Sequence, residues 1–156
     1  YRYFSPVKEK DNTKYPLVIW LHGMGDGAEE GKQAKASDIA FWTSDEFQAR
    51  FKDSNGAFIF APRSLEEDNL FWSDSLIFPL RAAIDDFIEK NKNNIDLSRI
   101  YIGGYSMGGK MTLKMAYPKK KSAPTLHTFF CSLPPSATIG ISLCSLVDVK
   151  RMKVPK

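Results

Sequence analysis

The chain has 156 residues, 43% hydrophobic and 26% charged, and no apolar run approaches the roughly 20 residues needed to cross a bilayer. Length and composition suit one soluble globular domain and exclude a membrane-spanning helix. The net charge of +4 comes from one end: residues 119–156 hold seven Lys or Arg against the single acid Asp148, leaving 15 basic and 17 acidic residues before them. With Phe129 and Phe130 away from both basic clusters, this is not the aromatic-interleaved stripe of a nucleic-acid surface. Two cysteines, Cys131 and Cys144, make neither a disulfide framework nor a metal site. The chain opens at Tyr1 without the charged start and apolar core of a signal peptide, as a mature form or a fragment would.

The first strong element is the apolar run 16–21, Pro-Leu-Val-Ile-Trp-Leu, which has no alternation and reads as a buried central strand. It ends in the glycine-rich stretch His22-Gly23-Met24-Gly25-Asp26-Gly27. A second apolar run, 57–61, follows the turn signal Ser54-Asn55-Gly56 and stops at Pro62. Next, Ile77, Leu80, Ile84, Phe87 and Ile88 share one face at a 3.6-residue period, which predicts a helix with Pro79 in its first turn. A third buried strand is expected over 100–104, leading directly to Ser106. Beyond it Met107, Met111 and Met115 recur at every fourth position, with Lys110 and Lys114 on another face, and predict a second helix.

Past Pro118 the patterning weakens, with expected strands at 126–131 and 139–149 and a composition shift at about residue 119. Strands alternating with helices predict an α/β fold, a mostly parallel central sheet with helices on both faces. Residues 1–118 read as the patterned part and 119–156 as an atypical basic section with little order of its own.

Chemistry concentrates in Gly104-Tyr105-Ser106-Met107-Gly108, a GxSxG sequence with a strand before it and a helix after it. A sharp strand-to-helix turn holds the serine in a strained conformation with its hydroxyl exposed, and glycines two residues to either side remove side chains that would collide there. The helix that follows aims its N-terminal amides at the serine, so the Met107 N–H can stabilise an oxyanion during acyl transfer. The glycine-rich turn after the first strand lets a second backbone N–H, that of Met24, point to the same place. That turn lacks both the Lys-Ser/Thr ending of a P-loop and the GxGxxG spacing of a dinucleotide site.

A strand ending in His-Gly-Met-Gly, followed about 80 residues later by Gly-Tyr-Ser-Met-Gly-Gly, resembles the α/β-hydrolase superfamily. The stretch 15–23 together with Asp96-Leu97-Ser98-Arg99-Ile100-Tyr101 is similar, more narrowly, to its carboxylesterase, feruloyl esterase and predicted-peptidase branch. The resemblance covers roughly residues 1–118. It implies Ser106 as nucleophile, a later aspartate that orients a histidine base, and the chain order Ser, Asp, His.

Asp148, near the end of the last apolar run, is the candidate acid, although the slot a few residues beyond that run holds Met152. His22 belongs to the glycine-rich turn and by analogy is structural. His127 comes before every candidate acid and within an expected strand, so the family's base is expected past Lys156. The domain is thus expected to be truncated after its nucleophile half.

These readings predict a serine esterase acting on small carboxylic esters, without cofactor or metal and impaired by an incomplete triad. The alternative is a silent ligand-binding or interaction domain of the same fold. Trp42, Phe71 and Trp72 are candidates for an acyl pocket but, as large aromatics, are expected in the core. The acids Glu29, Glu30, Glu66, Glu67 and Asp68 read as solvated loop charges, and no ligand cluster has metal spacing.

Overall fold

An apolar strand without alternation must be covered on both faces, and the sheet is built around such a strand. The computed structural model describes residues 1–6, 12–24, 37–64, 72–116, 127–129 and 146–147. The chain runs β1 (Arg2–Phe4), β2 (Tyr15–Leu21), α1 (Ser37–Trp42), α2 (Asp45–Gln48), β3 (Phe58–Ala61), a 3₁₀ turn (Asp74–Leu76), α3 (Ile77–Lys90), β4 (Ile95–Gly104), α4 (Met107–Ala116), β5 (His127–Phe129) and β6 (Leu146–Val147). The strands form one sheet in the order β1-β3-β2-β4-β5-β6. Its four central strands are parallel, and only the edge strands β1 and β6 pair antiparallel. The expected α/β architecture is what the chain adopts.

All seven residues of β2 are buried because the two sides of the strand feed two cores. Tyr15, Leu17, Ile19 and Leu21 pack with Phe58 and Phe60 of β3, Ile100 and Ile102 of β4, Leu80, Ile84 and Phe87 of α3, and Met111 and Met115 of α4. Val18 and Trp20 face the other way, against Ile59 and Ala61 and against Ile39 and Trp42 of α1. The stripe read from the α3 sequence is the stripe that is buried, and Pro79 sits in that helix's first turn. Trp20 donates from its indole N–H to Asp38, fixing α1 on its face.

The elements β1, α1 and α2 were not expected, and β4 starts five residues before the apolar run that announced it. The polar stretch 96–99 is the reason. Tyr15 pairs with Ile95 but Leu17 pairs with Ile100, so β4 takes five steps where β2 takes two. Asp96 closes this irregularity by accepting from the Ser98 N–H (2.9 Å), the Ser98 hydroxyl (2.6 Å) and Arg99 Nε (2.6 Å), and Arg99 also donates to the Lys14 carbonyl.

The Ser98 bonds, with help from Arg99, hold the Asp96 carboxyl at a pKa of about 2, below its ordinary 3.8. The unfolded chain therefore takes up this proton before the folded one does. The stabilisation is complete above about pH 4 and is lost as pH falls toward 2. We expect D96N to flatten the acid limb of a stability–pH curve measured by urea unfolding, with the wild type's extra slope confined to that window. An unchanged limb in D96N would remove Asp96 from the account.

A second polar clasp ties the helical layer to β3. Gln48 is buried, donates through Nε2 to the Trp42 carbonyl (2.8 Å) and accepts at Oε1 from the Ala57 N–H (2.8 Å). Gln48→Leu would fill similar space and leave a buried N–H and a buried carbonyl unpaired, at roughly 1–3 kcal/mol per orphaned group. A loss of about 2–6 kcal/mol is expected in chemical denaturation. A change under about 0.5 kcal/mol would mean that water takes over both bonds.

Among the described residues no helix is long and apolar enough to cross a membrane. Of the expected strand 139–149 only Leu146 and Val147 fall within the described residues.

Candidate active site

In a parallel sheet, ligands bind beyond the carboxyl ends of two adjacent strands whose connections leave for opposite faces. The adjacent pair β2 and β4 meets this condition. The chain leaving β2 goes to α1, packed on the Trp20 side, and the chain leaving β4 goes to α4, packed on the Leu21 side. The turn 22–24 and the turn at Ser106 therefore stand side by side along the carboxyl-terminal edge of the sheet, at the ends of two interior strands.

Ser106 is the second of the two residues between β4 and α4 and has φ of +50°, a left-handed conformation that a serine adopts only under constraint from its surroundings. Its side chain is exposed. The constraint is visible on both sides of it. The Tyr105 N–H donates to the Leu21 carbonyl (3.0 Å), the Gly108 N–H to the Tyr105 carbonyl (2.8 Å) and the Lys110 N–H to the Ser106 carbonyl (3.2 Å). The last two begin α4 immediately after the reversal.

The glycines at 104 and 108 are required by contact. A Cβ on Gly108 would lie 2.0 Å from the Leu21 carbonyl oxygen and 2.7 Å from that of His22. A Cβ on Gly104 would lie 2.5 Å from the Gly108 carbonyl carbon and 2.8 Å from the Leu21 oxygen. Two chain segments thus meet backbone to backbone, which is how the Ser106 turn is pressed against the end of β2. Gly109 is less tightly placed: a Cβ there would lie 3.2 Å from the Gly104 oxygen, which asks that neighbour to give by a few tenths of an ångström.

His22 is buried beneath this edge, and its ring is held at both nitrogens. The Ser64 N–H reaches Nε2 at 3.1 Å, and Nδ1 stands 2.7 Å from the Gly23 carbonyl oxygen. A backbone N–H can only donate and a carbonyl can only accept. Nε2 therefore carries the lone pair and Nδ1 the proton, which makes His22 a neutral imidazole. The Trp72 ring lies against it at 4.9 Å between centroids, and the Trp72 indole N–H donates to the His22 carbonyl (2.9 Å). Ser64 and Trp72 escaped the sequence reading as partners of His22. The available signal was the indole N–H of a core tryptophan, which needs an acceptor when buried.

Of the residues singled out from sequence, Ser106, Met107 and Met24 are brought to the same edge, with the Met24 side chain 63% exposed. Trp42 and Trp72 are buried in the two cores, as expected of large aromatics. His127 lies in β5 opposite Tyr101, three register steps, or roughly 10 Å, back from the edge at Gly104. Asp148, Gly25, Phe71 and the acids Glu29, Glu30, Glu66, Glu67 and Asp68 lie outside the described residues. Among the described residues no three His, Cys, Asp or Glu side chains group where they could hold a metal ion.

With this geometry in view, the comparison that decides kinship is a family model described as phospholipase/carboxylesterase, which matches residues 4–150. The chain belongs to that family. The match continues through most of the basic section beyond residue 118, so phospholipase/carboxylesterase kinship is carried past the Ser106 helix. A solved structure described as a thermostable esterase is similar at 30% identity and a TM-score of 0.55, over 71% of this chain. The same alignment takes in 31% of that esterase, so the matched part of this chain spans about a third of its length. No curated protein matches.

Proposed function

We propose that this chain bears the nucleophile side of a serine hydrolase for carboxylic esters, with Ser106 as nucleophile and the Met24 and Met107 N–H groups as the oxyanion donors. The observation that carries the reading is the left-handed Ser106 between a strand and a helix, held there by glycines with no room for a Cβ. Folding energy spent on that conformation has a purpose only if the hydroxyl must stand clear of the sheet. Membership of the phospholipase/carboxylesterase family and likeness to an esterase fold support the same chemistry.

In the proposed reaction Ser106 Oγ bonds to the ester carbonyl carbon, and the negative charge that develops on the carbonyl oxygen is met by the two amides. Collapse breaks the bond to the alcohol, which leaves with the serine proton, and an acyl-serine remains. Water then adds to the acyl carbon, the acid departs and Ser106 recovers its proton. The steps need no cofactor. Asp148 is the acid candidate in this sequence.

His22 does not serve as base, because Nε2 already accepts from Ser64 and Nδ1 already carries its proton. The second reading is a ligand-binding domain of the same fold that keeps the site without turnover. The test is a fluorophosphonate probe followed by intact-mass and peptide analysis. Slow stoichiometric capture at Ser106, absent in S106A, supports the nucleophile assignment. Folded protein that never takes the probe establishes the silent reading.

A further inference from the structure

We infer that His22, with its proton fixed on Nδ1 by Ser64, is a positioning residue that sets the direction of the Met24 N–H; the inference rests on the hydrolase reading above. Gly23 C=O and Met24 N–H belong to one peptide unit. No cis peptide bond occurs in the described chain, so the two groups point in opposite directions across that unit. The His22 Nδ1–H holds the Gly23 oxygen at 2.7 Å on the buried side. The Met24 N–H is thereby turned away from the imidazole, toward the exposed edge where its own side chain emerges.

The preceding peptide unit is held independently. Its oxygen, that of His22, accepts from the Trp72 indole at 2.9 Å and is where a Cβ on Gly108 would arrive. Two successive peptide planes at the end of β2 are thus fixed from one side, by side chains from the turn itself and from the stretch before α3. The tautomer is the control point. With the Ser64 N–H aimed at Nε2, the proton stays on Nδ1, and only that form can donate to the Gly23 oxygen. Were the proton on Nε2, it would oppose the Ser64 N–H at 3.1 Å with only the Ser64 hydroxyl, at 3.3 Å, to accept it, two acceptors would face each other at Gly23, and the 23–24 peptide would lose the bond that holds its N–H toward the site.

A charge-stabilising donor removed from an acyl-transfer site costs about 10²–10³ in rate, so a donor left to wander should cost at least about tenfold. His22→Phe keeps a ring against Trp72 and deletes both nitrogen bonds. His22→Asn keeps a side-chain N–H near the Nδ1 position. The experiment compares second-order rates of fluorophosphonate capture at Ser106 in the wild type, H22F and H22N, alongside thermal unfolding and ¹⁵N shifts of the imidazole in the wild type.

The expected result is a Nδ1–H tautomer, H22F slowed at least about tenfold at saturating as well as limiting probe, and H22N restored to within about threefold of wild type while remaining folded. A Nε2–H tautomer, or H22F labelling as fast as wild type, overturns the positioning role and leaves Ser106 as nucleophile. H22N as slow as H22F overturns it too, since then ring volume and not the N–H matters. Folded wild type that never labels removes the hydrolase reading and this inference together.

Discussion

Gly108→Ala is expected to cost about 4 kcal/mol or more, enough to leave the domain largely unfolded at room temperature if its stability lies at the low end of the usual 5–15 kcal/mol. The added methyl would meet the Leu21 oxygen at 2.0 Å, the Leu21 carbonyl carbon at 2.6 Å and the His22 oxygen at 2.7 Å. All three are backbone atoms, so no rotamer change clears the space. Ordinary overpacking costs about 1–3 kcal/mol because neighbouring side chains yield. Here Leu21 is held in register with Gly104, and its oxygen already accepts from the Tyr105 N–H, so yielding would break the β2–β4 ladder.

Gly109→Ala is the matched control. Its nearest neighbour is the Gly104 oxygen at 3.2 Å, and an alanine inside α4 gains about 1 kcal/mol of helix propensity over glycine. It should stay within about 1 kcal/mol of wild type in urea unfolding followed by circular dichroism. If the two variants unfold at the same urea concentration, the backbone contact between α4 and the end of β2 is absent from the protein and the site loses its frame.

The parts of this arrangement that were readable from sequence are those set by local chemistry. The glycines around Ser106 mark a reversal whatever lies nearby, and the unbroken apolar run of β2 implies cover on both faces. The stripe of α3 needs only its own period. The first half of β4 was not readable because Asp96, Ser98 and Arg99 bond one another as loop residues do, while Ile95 on the far side rejoins the sheet. Helices α1 and α2 are six and four residues long, too short for periodicity to register, and depend on burial of Ile39 and Trp42 in α1 and of Gln48 in α2. The grip of Ser64 and Trp72 on His22 joins residues 42 and 50 positions apart, and only the packing of the two connections that follow β2 and β3 brings them together.

Ser106→Gly is expected to abolish fluorophosphonate capture and to raise stability, two results that a single substitution seldom gives. A non-glycine residue at φ of +50° pays about 1–2 kcal/mol for the approach of its Cβ to the following carbonyl. Glycine escapes that cost but loses more freedom on folding, which returns about 0.5–1 kcal/mol to the unfolded side. The net gain should be about 0.5–1 kcal/mol. Ser106→Ala removes the same hydroxyl and keeps the same Cβ, so it loses capture as completely while staying near wild-type stability. The difference between the two variants in urea midpoint, at equal slope, reads the backbone strain free of any effect of the lost oxygen. S106A matching or exceeding S106G would mean that the turn relaxes around residue 106, and a relaxed turn would not hold the hydroxyl clear of the sheet edge. A positive difference would show that the fold gives up stability at the one residue whose side chain must project, and at Gly104 and Gly108 accepts glycine for the same purpose.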